Sequence, residues 1–125
     1  MVRHTVLVGL GGLVGSIARF WLSTLALRAA GTAFPVGTLA VNVLGSFASG
    51  LVLAYTLGRG EAGASLRALL AVGFCGGFTT MSTFSYETVA LWTDGRAAFA
   101  VINVVLTLAT CFAAMWLGLA ATRGA

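Results

Sequence analysis

Five hydroxyl side chains crowd into one short apolar stretch of this chain. They are Thr79, Thr80, Ser82, Thr83 and Ser85, within "GFCGGFTTMSTFSYE", residues 73–87. A hydroxyl can donate to an anion without carrying a full positive charge. Phe84 adds a ring edge, the positive part of an aromatic quadrupole. The chain has no lysine at all. Neutral donors and ring edges suit a small anion that must bind and then leave. Elsewhere the polar side chains fall at helical spacing. Thr38, Asn42, Ser46 and Ser49 follow one another at intervals of three or four, with Gly45 beside them. Asn103, Thr107, Thr110 and Cys111 share a second such face, and Gly11, Gly15 and Arg19 a third, with Gly12 and Ser16 alongside. Residues three and four apart stack on one face of a helix.

Other chemistries are poorly supplied. His4 is the only histidine, and no buried lysine or aspartate is in view to activate a serine or threonine, so a membrane-embedded hydrolase is disfavoured. Cys75 and Cys111 show no CxxC spacing and read as small apolar packers. The net charge is +4, but the arginines are scattered singly and leave no nucleic-acid footprint.

The elements that must position these groups are membrane helices. Charged residues make up 8% of the 125 residues and hydrophobic ones 59%, whereas a soluble domain carries about 25% charged residues. Four apolar runs each reach the roughly 20 residues that cross a bilayer: Thr5–Leu27, Phe34–Leu57, Leu66–Trp92 and Ala97–Leu119. The first is too long for a signal peptide and holds Arg19. Trp21, Tyr55, Trp92 and Trp116 lie toward span ends, as an aromatic belt requires. The pattern predicts an all-α membrane protein, one four-helix domain over residues 1–125. "GRGEAGASLR" reads as an exposed turn, and Pro35 as a residue of a helix's first turn.

With four spans, Arg3, Arg59, Arg67 and Arg123 share one side, and Arg28 and Arg96 the other. That bias is weak enough for insertion both ways up. Arg19, inside a span, is expensive there: about 2.5–3.5 kcal/mol on insertion scales. It is either a snorkelling anchor or a cation that concentrates anions at a pore mouth. The glycines of the first span suit close helix packing. Asn42 and Asn103 need partners wherever they lie.

Gly76-Gly77 falls near the middle of the third span. Each glycine costs about 1 kcal/mol relative to alanine in a helix, and Thr79 and Thr80 follow. The run predicts a helix broken at mid-membrane. Freed backbone groups there need protein, water or an ion. Broken helices at ion sites hold a cation with carbonyls and favour an anion at the next helix N-terminus.

At these residues the sequence resembles the Fluc (CrcB-like) fluoride channels. "GFCGGFTTMSTFSYE", "GTLAVNVLGSFASG" (Gly37–Gly50) and "GGLVGSIARF" (Gly11–Phe20) carry the likeness on the first three spans, in the right order. The resemblance implies an antiparallel, dual-topology dimer with two fluoride pores. Its partner is a second copy of the chain or a related subunit. It implies a structural sodium ion at the dimer centre, not transported and held by the backbone carbonyls of Gly76 and Thr79 from both subunits. Asn42 matches the family's fluoride-donating asparagine. The family's two pore phenylalanines fall at Met81 and Phe84, so Met81 is a departure that keeps bulk but loses the ring edge. By the same likeness Ser82 and Thr83 are expected to be pore-side hydroxyls, Asn103 and Thr107 a polar track on the fourth span, and Arg19 a vestibule residue. Glu87 matches an acidic position near the pore mouth.

The function implied is passive export of fluoride across the cell (inner) membrane. The main alternative is a small multidrug-resistance-type, proton-coupled transporter, which also has four spans. Such a transporter needs a carboxylate in its first span. The acids here are Glu61, Glu87 and Asp94, none of them there.

Overall fold

The computed structural model describes residues 1–122 and is all-helical. Helix α1 spans Val2–Ala30 and α2 Val36–Thr56. The third span is a composite: α3 (Gly60–Arg67), a π-wound stretch (Ala68–Cys75), the single turn α4 (Gly76–Phe78), and α5 (Met81–Thr93). Helix α6 spans Ala97–Ala121. Four helical runs are long and apolar enough to cross a membrane: Val2–Ala30, Val36–Thr56, Gly60–Thr93 and Ala97–Ala121.

Local chemistry sets the ends. Gly31, at φ 57, closes α1, and its N–H returns to the Leu27 carbonyl. Arg28 sits in that last turn, where a cation meets the negative end of the helix dipole. Pro35 lies at the N-cap of α2, one position before the first turn predicted for it. "GRGEAGASLR" departs further from expectation. The chain turns at Gly58 and Gly60, at φ 75 and 53, and α3 then runs through the segment read as a loop. Ala62 and Ala64 favour helix, and Glu61 lies in its first turn. The third span is therefore 34 residues long, and Arg67 belongs to a helix.

The break also lies elsewhere than predicted. Gly76 and Gly77 are helical, Gly76 at φ −62 and ψ −39. The chain turns extended at Thr79 (φ −90, ψ 159) and Thr80 (φ −151, ψ 113). The glycines serve packing. A Cβ on Gly77 would stand 2.6 Å from the Gly12 carbonyl oxygen; one on Gly15 would strike the Phe74 carbonyl oxygen, and one on Gly11 that of Leu69. Helix α1 thus lies backbone to backbone on the π-wound stretch, the approach that small residues permit between membrane helices. Helices α2 and α6 meet in the same way, where a Cβ on Gly50 would come 2.5 Å from the Met115 carbonyl oxygen.

The interior is small and partly polar. Val41 and Thr56 are 0% exposed and Asn103 1%. Leu13, Ile17, Phe20 and Trp21 face outward, as they do in a solvent of lipid tails. Two contacts mark the ends of the bundle. His4 Nε2 lies 3.0 Å from Glu61 Oε1, joining the starts of α1 and α3. The Phe34 and Phe99 rings meet edge to face at 6.0 Å, joining the α1–α2 connection to the start of α6. Arg123, assigned by sequence to the side of Arg3, lies outside the described residues.

Candidate pore site

Breaking a helix strands its backbone groups, and here one side chain receives them. Asn42, on α2, grips the Thr80 peptide groups twice. Its Oδ1 accepts the Thr80 N–H at 2.7 Å, and its Nδ2 donates to the Thr80 carbonyl at 3.1 Å. Both residues are buried. In an unbroken helix the Thr80 N–H would serve the Gly76 carbonyl, so diverting it to Asn42 frees that carbonyl. A carboxamide carries an acceptor and two donors, so it can bind both groups and keep one N–H over.

The Thr80 side chain starts the next helix. Its Oγ1 accepts the Thr83 N–H at 3.2 Å, an N-cap that satisfies one orphan donor of α5. The same oxygen donates to Thr83 Oγ1 at 3.0 Å and lies 3.3 Å from Ser82 Oγ. Thr79 Oγ1 donates back to the Cys75 carbonyl, and Ser85 Oγ to that of Met81. Of the five hydroxyls read as anion donors, Thr79, Thr80 and Ser85 are therefore engaged within the protein. Thr83 accepts from Thr80 and keeps its own O–H, and Ser82 is exposed.

A cavity of about 190 Å³ opens beside this knot. Asn42, Ser46, Thr79, Thr80, Met81, Phe84, Thr107 and Cys111 are on its walls, and no charged residue is. The structure thus brings together Asn42, Met81, Phe84 and Thr107. Asn103 stands behind them instead. Thr107 Oγ1 donates to Asn103 Oδ1 (3.3 Å), Asn103 Nδ2 to Thr88 Oγ1 (2.9 Å), and Thr88 Oγ1 to the Phe84 carbonyl (2.7 Å). This chain of bonds ties α6 to α5 and fixes the backbone from which Phe84 projects.

A second cavity, of about 210 Å³, is walled by Arg19, Phe20, Ser23, Thr38, Val41, Thr80 and Thr83. Arg19 faces it and forms no salt bridge among the described residues. A third, of about 130 Å³, shares Ser23, Thr38 and Thr83 with the second and reaches Glu87. There Thr38 Oγ1 donates to Glu87 Oε1 at 2.8 Å, while the buried Oε2 has no partner. On the other side of the break, Gly76 and Thr79 border a separate hollow with Cys75 and Ser49. Gly76 is exposed, and a Cβ there would meet nothing nearer than 4.0 Å.

Thr80, one of five hydroxyls in the sequence pattern, and Ser46 and Cys111, members of two polar helix faces, also line this cavity. The spacing of Ser46 four residues after Asn42 carried a signal. The bond between Asn42 and Thr80 joins positions 38 apart in sequence, and no local pattern announces it.

Known proteins share this sequence along nearly its whole length. Residues 6–119 match the model of the family described as "CrcB-like protein, Camphor Resistance (CrcB)". The "Fluoride-specific ion channel FluC" of Geotalea daltonii is 42% identical over 122 residues, 98% of each chain. The protein of the same name from Geobacter sulfurreducens is 46% identical over 112 residues, 90% of each. In Geobacter sp. (strain M21) a further FluC is 40% identical over 122 residues. Matched along nearly its whole length, this multi-pass membrane protein belongs to the Fluc (CrcB-like) family.

Proposed function

We propose that the protein is a fluoride-selective channel that passively releases cytoplasmic fluoride across the inner membrane. The observation that carries this reading is the uncharged cavity where Asn42, Phe84, Met81 and Thr107 meet. Fluoride is small and strongly hydrated, so its shell must be replaced by close donors. Asn42 has one N–H left after its two bonds to Thr80. Thr83 keeps a hydroxyl proton, Ser82 is within reach of solvent, and Phe84 brings a ring edge. Thr107 gives its proton to Asn103, and in this reading Thr107 and Asn103 position the wall. Arg19, in the adjoining cavity, raises the local anion concentration as a vestibule cation. The relatives are ion channels by name, which argues against both the proton-coupled transporter and an enzyme.

We further infer an antiparallel dual-topology dimer, formed with a second copy or a related chain, around a structural sodium ion. The residues fit such an ion: the break frees backbone carbonyls, and the Gly76 face is open. Hard cations take oxygen ligands, and a two-fold axis would present the Gly76 and Thr79 carbonyls twice. Bound there, sodium would supply positive charge to carbonyls that the broken helix leaves without donors.

The test is efflux from liposomes holding the purified chain. Fluoride should leave and chloride should stay. Vesicles that retain both would end the reading for the chain acting alone.

A further inference from the structure

The cavity of Asn42 and Phe84 and the cavity of Arg19 have one wall residue in common, Thr80. Thr80 therefore stands between the two hollows. Thr80 is also firmly held in place. Both of its backbone polar groups are bound by Asn42, and its Oγ1 engages the Thr83 N–H, Thr83 Oγ1 and Ser82 Oγ. It is buried, 7% exposed. With every polar atom tied, it cannot swing aside without breaking several bonds at once.

We propose that Thr80 is the size filter between the two cavities: its fixed side-chain volume admits fluoride and turns back larger halides. This rests on the fluoride-channel reading above and adds to it where exclusion takes place. The donors around the first cavity replace a hydration shell, but donors alone would also serve chloride. Rejection by size needs a wall that does not yield, and flexible Met81, 67% exposed, is not one. The Asn42 clamp supplies that rigidity, so Asn42 acts on selectivity as a positioning residue through Thr80.

The inference separates volume from hydrogen bonding. Thr80→Ser keeps the oxygen that caps α5 and removes only a methyl group. Thr80→Val keeps the volume and removes the oxygen. Both are to be reconstituted beside the wild type, with fluoride and chloride efflux measured under the same gradient and dimer size checked by elution volume. Thr80→Ser should conduct fluoride and release chloride at least about ten-fold faster than the wild type, the discrimination that one methyl group supplies in a tight pocket. Thr80→Val should still retain chloride, with slower fluoride efflux. Full chloride retention by a fluoride-conducting Thr80→Ser would overturn the proposal. So would chloride release by Thr80→Val, or loss of fluoride flux in a Thr80→Ser of normal size. A wild type that passes no fluoride defeats the underlying channel reading instead.

Discussion

The third span is built in two ways on either side of Thr79. Up to Phe78 it is held by the absence of side chains. Gly73 lies on Gly11, Gly77 on Gly12, and Gly15 of α1 on Phe74, so closely that Cβ atoms added to Gly73, Gly77, Gly11 or Gly15 would strike backbone. After Thr79 it is held by directed bonds: the Asn42 clamp, the Thr80 cap, and the relay from Thr107 to the Phe84 carbonyl. The first half is dense where it meets α1. The second leaves space, because hydrogen bonds fix positions without filling volume. A membrane protein lacks a hydrophobic drive between its helices, so these two devices divide the task of holding the span together.

Substitutions can break each half separately. The largest effect is expected from Gly15→Val. Backbone cannot move aside as a side-chain end can, so the loss should exceed the 1–3 kcal/mol or so typical of overpacking. Little folded protein should be recovered from membranes, and recovery at wild-type levels would mean that α1 does not pack as described. Asn42→Ala follows. It leaves the buried Thr80 N–H and carbonyl without partners, costing about 1–3 kcal/mol each. Dimers should still form, and fluoride efflux should vanish. Normal efflux would remove Asn42 from the pore.

Gly76→Ala sharpens the boundary between the halves. Within one subunit the position is open, and alanine favours helix by about 1 kcal/mol. The isolated subunit should therefore tolerate it, while the proposed dimer should weaken, as it should in sodium-free buffer. Equal dimer stability in both conditions would count against an ion at this face. The smallest effect is expected from Met81→Phe. A ring there would stand beside Phe84, and aromatic pairs gain roughly 0.5–1.5 kcal/mol, so fluoride efflux should change by about ten-fold at most. Complete loss would show that the cavity needs the narrower side chain.

The four spans were legible because hydropathy reports lipid exposure directly. The break was legible as an event and misplaced by position. Gly76-Gly77 looks like the weak point of the helix by propensity, but both residues are helical and Gly77 is packed on Gly12. Thr79 and Thr80 can leave the helix because Asn42 receives what they abandon. The π winding of Ala68–Cys75 left no trace in "ALLAVGFC", whose residues are apolar almost throughout and show no period. Loop against helix at Gly60–Arg67 was decided by alanines that the glycines beside them obscured. Of the site, Asn42, Met81, Phe84 and Thr107 were found together, whereas Asn103 turned out to stand behind the wall. Its polarity was visible in the sequence, but the direction it faces depends on Thr88 of a different helix.

The π-wound stretch has a consequence for inheritance. A π turn carries more residues than an α turn, so Ala68–Cys75 stores slack that an ordinary helix lacks. Deleting a single codon there would let the coil relax to α winding and take up the loss, whereas a deletion in an α-wound stretch rotates everything beyond it by about 100° around the axis. Thr80 would then keep its bearing on Asn42 in a chain one residue shorter. Natural length variation should accordingly be tolerated in this segment as in the connections, and be rare in the α-wound spans, where the rotation is transmitted.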